Sequence, residues 1–470
     1  MKTVKYTQII VLAVSVLIAS NSFSQTFTVL HNFTNCPDGQ SPLGLVMAGN
    51  ILYGITSEGG ISDQESIGNG MVFSVNIDGT GFRVLHTFTA RSSQTYTNSD
   101  GASPSAGLLL SGSTLYGTTA YGGPNGHGTV FSMNTNGTGF KVIYNFTGSG
   151  MAIVPLGPLA ISCNKLYGTS EFGGTYNYGT VFSLNTDGAP FTLLHSFTSL
   201  SLNPPYTNAD GAEPFGGLVQ YENTLYGTTV MGGTWGNGTV FAVNTNGTGF
   251  TVLHCFTNTD GARPQTTLTL SGSTLYGTTA YGGTNGDGTV FAMNADGTGF
   301  NLLHNFIGTD GGYPATPLTL YGNTLYGATD EGGTNDYGTV FEVNTDGTDF
   351  AVLQNVANIW GWHPNPMGNL VVSKNILYGT TENGGANGDG TVFCLQLPTF
   401  LTAPELLANG QFQFSFNTAT GVNYAVQYST NLTQWFPFVT VGGIGLPLTL
   451  IDPNTASSQQ RFYRIILSPQ

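Results

Sequence analysis

Short apolar bursts separated by runs of Gly, Thr, Asn and Asp recur along this chain in one order, seven times over. Leu-Tyr-Gly begins at Leu52, Leu115, Leu166, Leu225, Leu275, Leu325 and Leu377. Gly-Thr-Val-Phe, with Met for Thr in the first copy, ends at Phe73, Phe131, Phe182, Phe241, Phe291, Phe341 and Phe393. A third burst, typically Leu-His-x-Phe, begins at Leu30, Leu85, Ile143, Leu194, Leu253, Leu303 and Leu353. A fourth surrounds Leu45, Leu108, Leu159, Leu218, Leu268, Leu318 and Leu370. Both alternating sets of side chains are fairly apolar, as in a strand covered on both faces. Each unit therefore predicts four short antiparallel strands, a, b, c and d in chain order, packed between two neighbours as a propeller blade is.

The first strand predicted, Thr26 to Phe33, is a d strand with no a, b or c before it. The last of the repeats, Gly390 to Leu397, is a c strand with no d after it. The two fragments complete one blade only if the ends meet, which leaves no unpaired sheet edge. The expected fold is all-β: a seven-bladed β-propeller closed by the N-terminal strand, plus a small C-terminal β-sandwich-like module. An open solenoid of the same repeats is the alternative. Asp-Gly or Asn-Gly at six c–d corners, from Asp78-Gly79 to Asp346-Gly347, suits the positive φ angles of tight hairpins.

Loop lengths separate the two faces. The a-to-b offset is 7 residues in every unit, and the c-to-d offset is 12 wherever the unit is unbroken. The b-to-c offset is 16, but 21 in the first unit, where Ile61 to Asn69 is inserted. The d-to-a offset runs from 15 to 24, with insertions at Arg91–Asn98 and Ser199–Asn208. All length variation falls on the b–c and d–a face, which marks it as the binding face or as the more tolerant one.

Composition sets the class. Charged residues are 7% of the chain and Gly numbers 68, so the surface is built from uncharged polar residues and turns. Lys2 and Lys5 before the apolar run Ile9 to Ala19, with Ser22-Phe23-Ser24 after it, predict a signal peptide over 1–24, an uncleaved anchor being the alternative. The expected domains are then 1–24 signal peptide, 25–399 propeller and 400–470 C-terminal module. The formal charge is −15, and becomes more negative once the leader's lysines are gone. Nucleic acid and anionic membrane are therefore disfavoured as partners. Export, no membrane span and a monomer are expected.

Candidate chemistry is sparse. Five d–a loops carry Asp-Gly-x-x-Pro, led by Asp38, Asp100, Asp210, Asp260 and Asp310. We read them as turns in which Asp bonds N–H groups two residues on, rather than as a calcium site, because loops on different blades do not converge. His31, His86, His195, His254 and His304 occur once per repeat and are read as structural, with no metal or other cofactor expected. Cys36, Cys163, Cys255 and Cys394 lack metal spacing and are expected as buried thiols, a disulfide being the alternative. The Gly-Gly pairs are turn formers, and Asn-Gly-Thr at Asn136 and Asn246 is hairpin chemistry before it is a glycosylation sequon.

The least repetitive sector joins the sixth, seventh and first units. Asp330, Glu331, Glu382 and Glu58 follow their b strands, and the loop into the seventh holds Trp360, Trp362 and His363. Two indoles among carboxylates suit sugar stacking or a cation; a divergent closing blade is the plainer account. The expected function is a non-catalytic binding or scaffold protein, with polysaccharide or cell-surface glycan as partner. The alternatives are a polysaccharide hydrolase or lyase using carboxylates of the variable face, and a structural component of an extracellular layer.

The units Leu-Tyr-Gly-Thr-Thr, Gly-Gly, Gly-Thr-Val-Phe and Asp-Gly-Thr-Gly-Phe resemble the GloVer tandem repeat of secreted bacterial proteins, over roughly 26–397. The resemblance implies an exported, often surface-associated protein and carries over no catalytic residue. Beyond it, strands are expected at Gln411–Phe416, Tyr424–Ser429, Phe436–Val441, Leu446–Ile451 and Arg461–Leu467. The run Tyr424 to Trp435 with Arg461-Phe462-Tyr463-Arg464 resembles a fibronectin-like terminal module, in which Trp435 is expected as core.

Overall fold

The computed structural model describes residues 27–60, 68–92, 94–148, 150, 152–356, 365–397 and most of 402–468. The proposed signal peptide and the residues Trp360, Trp362 and His363 lie outside these. The described residues form strands and turns, with no helix. The chain divides into two compact units, one comprising Phe27–Val372 and Leu377–Leu395, the other mainly Gln396–Gln470.

In the larger unit each repeat is one antiparallel sheet. The first is Gln40–Ala48, Ile51–Glu58, Met71–Asn76 and Arg83–Thr87, paired in chain order. Five further sheets follow the same meander, with second strands Thr114–Thr119, Lys165–Ser170, Thr224–Thr229, Thr274–Thr279 and Thr324–Glu331. The seventh is Pro366–Ser373, Ile376–Thr381 and Thr391–Gln396, and its fourth strand is Phe27–Asn32 from the other end of the chain. Phe27 pairs with Leu395 and Asn32 with Thr391.

The motifs have packing reasons. In Leu-Tyr-Gly the glycine faces the phenylalanine of Gly-Thr-Val-Phe across the ladder. A Cβ on Gly54 would stand 2.4 Å from Phe73 Cζ, and the other copies are as tight, so no larger residue fits. The threonines pair as buried hydroxyls, Thr119 with Thr129 at 3.0 Å and Thr279 with Thr289 at 2.8 Å. The c–d corners differ from expectation in one respect. Only the glycine is left-handed (Gly79, φ +82), while Asp78 accepts the N–H and hydroxyl of Thr80. That is a type I turn closed by a glycine bulge.

Consecutive sheets are joined by a repeated bracket. His86, His195, His254 and His304 each lie flat on a phenylalanine of the following sheet: Phe140, Phe250, Phe300 and Phe350, at 3.5–3.9 Å between centroids. Tyr144 does the same on Phe191. His31, in the seventh sheet, lies on Phe82 of the first. Each histidine Nε2 also meets the carboxylate that leads the next loop, from His31–Asp38 to His304–Asp310, at 2.9–3.1 Å. The Asp-Gly-x-x-Pro carboxylates therefore do not bond N–H groups two residues on. They turn back to the histidine and to a preceding N–H, such as Thr34 for Asp38 and Thr257 for Asp260. The glycine after each is left-handed, as expected of a turn (Gly39, φ +98).

The thiols depart from expectation. None is paired, Cys36 and Cys163 are exposed, and Cys255 and Cys394 are half-buried. Cys36 and Cys163 sit on turns, outside the apolar layer between sheets.

The smaller unit has two three-stranded sheets. Thr402–Leu406, Phe412–Phe416 and Leu448–Asp452 form one; Phe436–Gly442, Asn423–Ser429 and Phe462–Ser468 form the other. Phe414 and Phe416 from the first pack with Tyr424 and Val426 from the second in one apolar cluster. Thr402–Leu406 escaped the sequence pattern because it contains Pro404; among the described residues it pairs on one side, through an irregular register, where a proline is tolerated. Asp452 is fully buried and accepts from Arg461 and from the Tyr463 hydroxyl. Trp435 is half-buried beneath the Arg464 guanidinium, 4.3 Å from the ring centroid.

Candidate functional site

The d–a loops deliver one residue just before a proline in every copy: Ser41, Ser103, Val154, Glu213, Arg263, Tyr313 and Asn365. None is glycine, yet all seven have left-handed backbone, with φ from +43 to +56. The conformation is held by hydrogen bonds on both sides. The N–H reaches back to the preceding sheet: Ser41 to Asp389, Ser103 to Asn69, Glu213 to Tyr178, Arg263 to Asn237 and Tyr313 to Asp287, at 2.8–3.0 Å. The carbonyl accepts from the residue at the end of the b strand: Ala120 on Ser103, Glu171 on Val154, Val230 on Glu213, Ala280 on Arg263 and Glu382 on Asn365, at 2.9–3.2 Å. Backbone alone thus places two residues side by side in each copy, and their side chains are left open to vary.

They do vary, and across four consecutive sheets the variants are polar and mutually coupled. Glu171 of the third sheet is pushed up to about 7, first by burial and then by the charge of Glu213 in the fourth. Burial also raises Glu213, opposed by Arg263 of the fifth. The Arg263 guanidinium lies over Tyr281, 5.5 Å from its centroid. Tyr281 meets Tyr313 of the sixth sheet edge to face at 5.1 Å. The Tyr313 hydroxyl donates to Gln265 Oε1 at 3.2 Å. Burial first, and then Tyr281 and Asp330, raise Tyr313. Glu171, Glu213, Arg263, Tyr281, Tyr313 and Asp330 therefore make one strip of carboxylates, a guanidinium and phenols.

Exposed rings gather on the same loops. Tyr96, Tyr121, Tyr176, Tyr206, Phe215, Trp235 and Tyr281 all stand on b–c or d–a segments, each at least 40% exposed. Among the described residues no three His, Cys, Asp or Glu side chains converge as a metal site would.

The residues singled out from sequence are distributed as follows. Burial and then the charge of Glu58 raise Glu382, so the seventh and first sheets do bring these two carboxylates together. Asp330 belongs to the strip, opposite Tyr313, where Gly312–Pro314 pairs with the end of its strand. Glu331 is exposed beside it, opposite Gly312. Trp360, Trp362 and His363 lie outside the described residues. Glu171, Glu213, Arg263, Tyr281 and Tyr313 are not among the residues the sequence pattern singles out. A signal existed: Glu213, Arg263 and Tyr313 occupy the position before the proline, where every copy but two has a different residue.

The sequence profile of the Gloeobacter/Verrucomicrobia repeat matches residues 16–209, 201–393 and 308–434. Among curated proteins nothing matches. Many solved structures have partial likeness to this chain, and two illustrate it. One is the Niastella koreensis GH74 enzyme, 13% identical, over 94% of this chain and 74% of that one, with a TM-score of 0.49. The other is a putative 6-phosphogluconolactonase from Bacteroides fragilis, 16% identical, over 77% of this chain and 95% of that one, with a TM-score of 0.42.

Proposed function

The chain belongs to the Gloeobacter/Verrucomicrobia repeat family, and from that premise we propose that it is an exported propeller whose loop face binds saccharide. In this reading the seven sheets are the blades of a ring fastened by Phe27–Asn32. Support comes from contacts that run from sheet to sheet and return, through His31 on Phe82 and Ser41 N–H on Asp389, to the first. The smaller unit is read as a fibronectin-like sandwich, and the location as secreted or cell-surface.

The observation that carries the binding role is the strip from Glu171 to Asp330. Carboxylates and a guanidinium supply acceptors and donors for sugar hydroxyls, and the phenol rings supply flat apolar faces. A formal charge of −15 argues against a polyanionic ligand. A glycan array and calorimetry with the matched saccharide test this. Arg263→Ala and Glu213→Gln are expected to weaken binding at least tenfold with unchanged thermal unfolding; unchanged affinity in both variants would remove the strip from the binding role.

One observation favours a second reading, a polysaccharide hydrolase or lyase. A carboxyl near 7 beside a second carboxyl is the arrangement of an acid and a base that divide a proton-transfer task. Release of reducing sugar by the wild type, abolished in Glu171→Gln, would establish it. Binding without release favours the binding protein, and neither favours a structural component of an extracellular layer.

A further inference from the structure

The second and fourth sheets are each preceded by the same loop. Tyr96-Thr97-Asn98-Ser99-Asp100-Gly101 and Tyr206-Thr207-Asn208-Ala209-Asp210-Gly211 share one pattern, absent from the shorter loops. Both fold alike. Asn98 Oδ1 accepts the N–H groups of Gly101 and Gly123, and its Nδ2 donates to the carbonyls of Thr89 and Gly101. Asn208 makes the same four bonds, with Gly211, Gly233, Thr198 and Gly211. The loop necks close through Ser92 N–H on Thr97 and Ser201 N–H on Thr207, both at 2.8 Å.

Each asparagine staple ends in an exposed ring. Tyr96 and Tyr206 have left-handed backbone, φ +56 and +50, which bulky residues seldom adopt. Their side chains are 65% and 43% exposed. Each loop also leans on the b–c turn of the sheet it leads into. Gly236 abuts the Pro205 carbonyl, which brings the chain segment of Trp235, 55% exposed, against that of Tyr206. Gly126 faces the carbonyls of Thr95 and Tyr96, and on that sheet Tyr121 is exposed beneath the Arg91 guanidinium, 5.9 Å from its ring centroid.

We propose that these two loops are duplicated aromatic subsites that grip a single neutral polysaccharide chain at two points. The proposal rests on the reading that this face binds saccharide. Rigid rings held by internally satisfied backbone lose little freedom on binding a pyranose face. Threonines adjoin both rings in sequence, Thr95 and Thr97 at Tyr96 and Thr207 at Tyr206, and the acidic protein repels polyanions. Two equal subsites on one chain multiply affinity through effective concentration, whereas a short fragment fills each alone.

The test uses the full chain in affinity gels containing hydroxyethylcellulose, glucomannan or laminarin, and calorimetry with hexasaccharides of the same sugars. Wild type is expected to be retarded by at least one polymer. Tyr96→Ala or Tyr206→Ala should each cut polymer affinity at least tenfold, yet with the hexasaccharide lower the stoichiometry by one site while the Kd of the remaining sites is unchanged. Tyr96→Phe and Tyr206→Phe keep the rings and should bind within about threefold of wild type, which separates ring loss from loop collapse. A double Ala variant retarded like wild type overturns the proposal, as does a wild type retarded by none of the polymers. If Arg263→Ala and Glu213→Gln leave retardation intact while the tyrosine variants lose it, the strip fails as a binding site and the loops stand.

Discussion

The imidazole of His31 lies on the ring of Phe82, centroids 3.8 Å apart and planes within 4°. The contact joins the N-terminal strand of the seventh sheet to the first sheet, and it repeats what His304 and Phe350 do between two internal sheets. The seam between the seventh and first sheets therefore uses the same histidine bracket as the seams after the first, third, fourth and fifth sheets.

That equivalence has a stability consequence. Loss of the stacked ring and of the bond to Asp38 should cost about 1–3 kcal/mol. His31→Ala and His304→Ala are expected to lower the urea midpoint by similar amounts. If His31→Ala is silent while His304→Ala is not, the seam does not carry load in solution.

The histidines make the fold sensitive to mild acid. Burial holds His31, His254 and His304 below the usual 6.5, against the pull of their aspartates. The unfolded chain then binds more protons just below 6.5, so this contribution is complete above that pH and is lost as pH falls through the lowered values. Burial pushes Asp100 and Asp210 up, but bonds from histidine and threonine bring them below 3.8, adding a further loss near that pH. A triple His→Gln variant at 31, 254 and 304 is expected to show a flatter dependence of urea midpoint on pH between 6.5 and 5 than wild type.

Glu342 works in the opposite direction. It is 7% exposed, at a place where other copies have Ser, Ala or Cys, and burial pushes it up to about 7 against the bond from Tyr326. Its ionisation opposes folding above pH 7, and the penalty fades as pH falls toward 4.5. Glu342→Gln should stabilise the protein at pH 8, by up to about 3 kcal/mol, with the gain gone at pH 4.5. Equal stability at pH 8 would mean the carboxylate is well solvated.

The strip makes a spectroscopic prediction. Because Glu213 contributes to the raised value of Glu171, Glu213→Gln should move the Glu171 carboxyl titration down from about 7, leaving the larger part due to burial. Arg263→Ala should move Glu213 up. Carbon-13 carboxyl titrations read both; independent titrations would mean the side chains are not neighbours.

The thiols can be ranked. Exposed Cys36 and Cys163 should react with Ellman's reagent in the native protein. Cys394, half-buried and raised by burial, should react more slowly than either, and unfolding in urea should remove the difference.

By itself the order of apolar bursts determined the strands, the four-stranded unit and the completion of the last sheet by the first strand. Strand pairing depends on local alternation and on how many partners each segment lacks, and both are written along the chain. It also indicated the neighbours Glu58 and Glu382, because closing a repeat array makes its ends adjacent. Only the tertiary structure decided the strip. Glu171, Glu213, Arg263 and Tyr313 are one turn-forming residue or one strand end each, unremarkable in its own copy. They meet because each loop bonds back to the preceding sheet, which sets equivalent loops of successive sheets beside one another, so that electrostatic neighbours lie a whole repeat apart in sequence. The same holds for the histidines: their ring partners belong to the next copy, and the carboxylates expected to serve their own turns instead hold those rings in place.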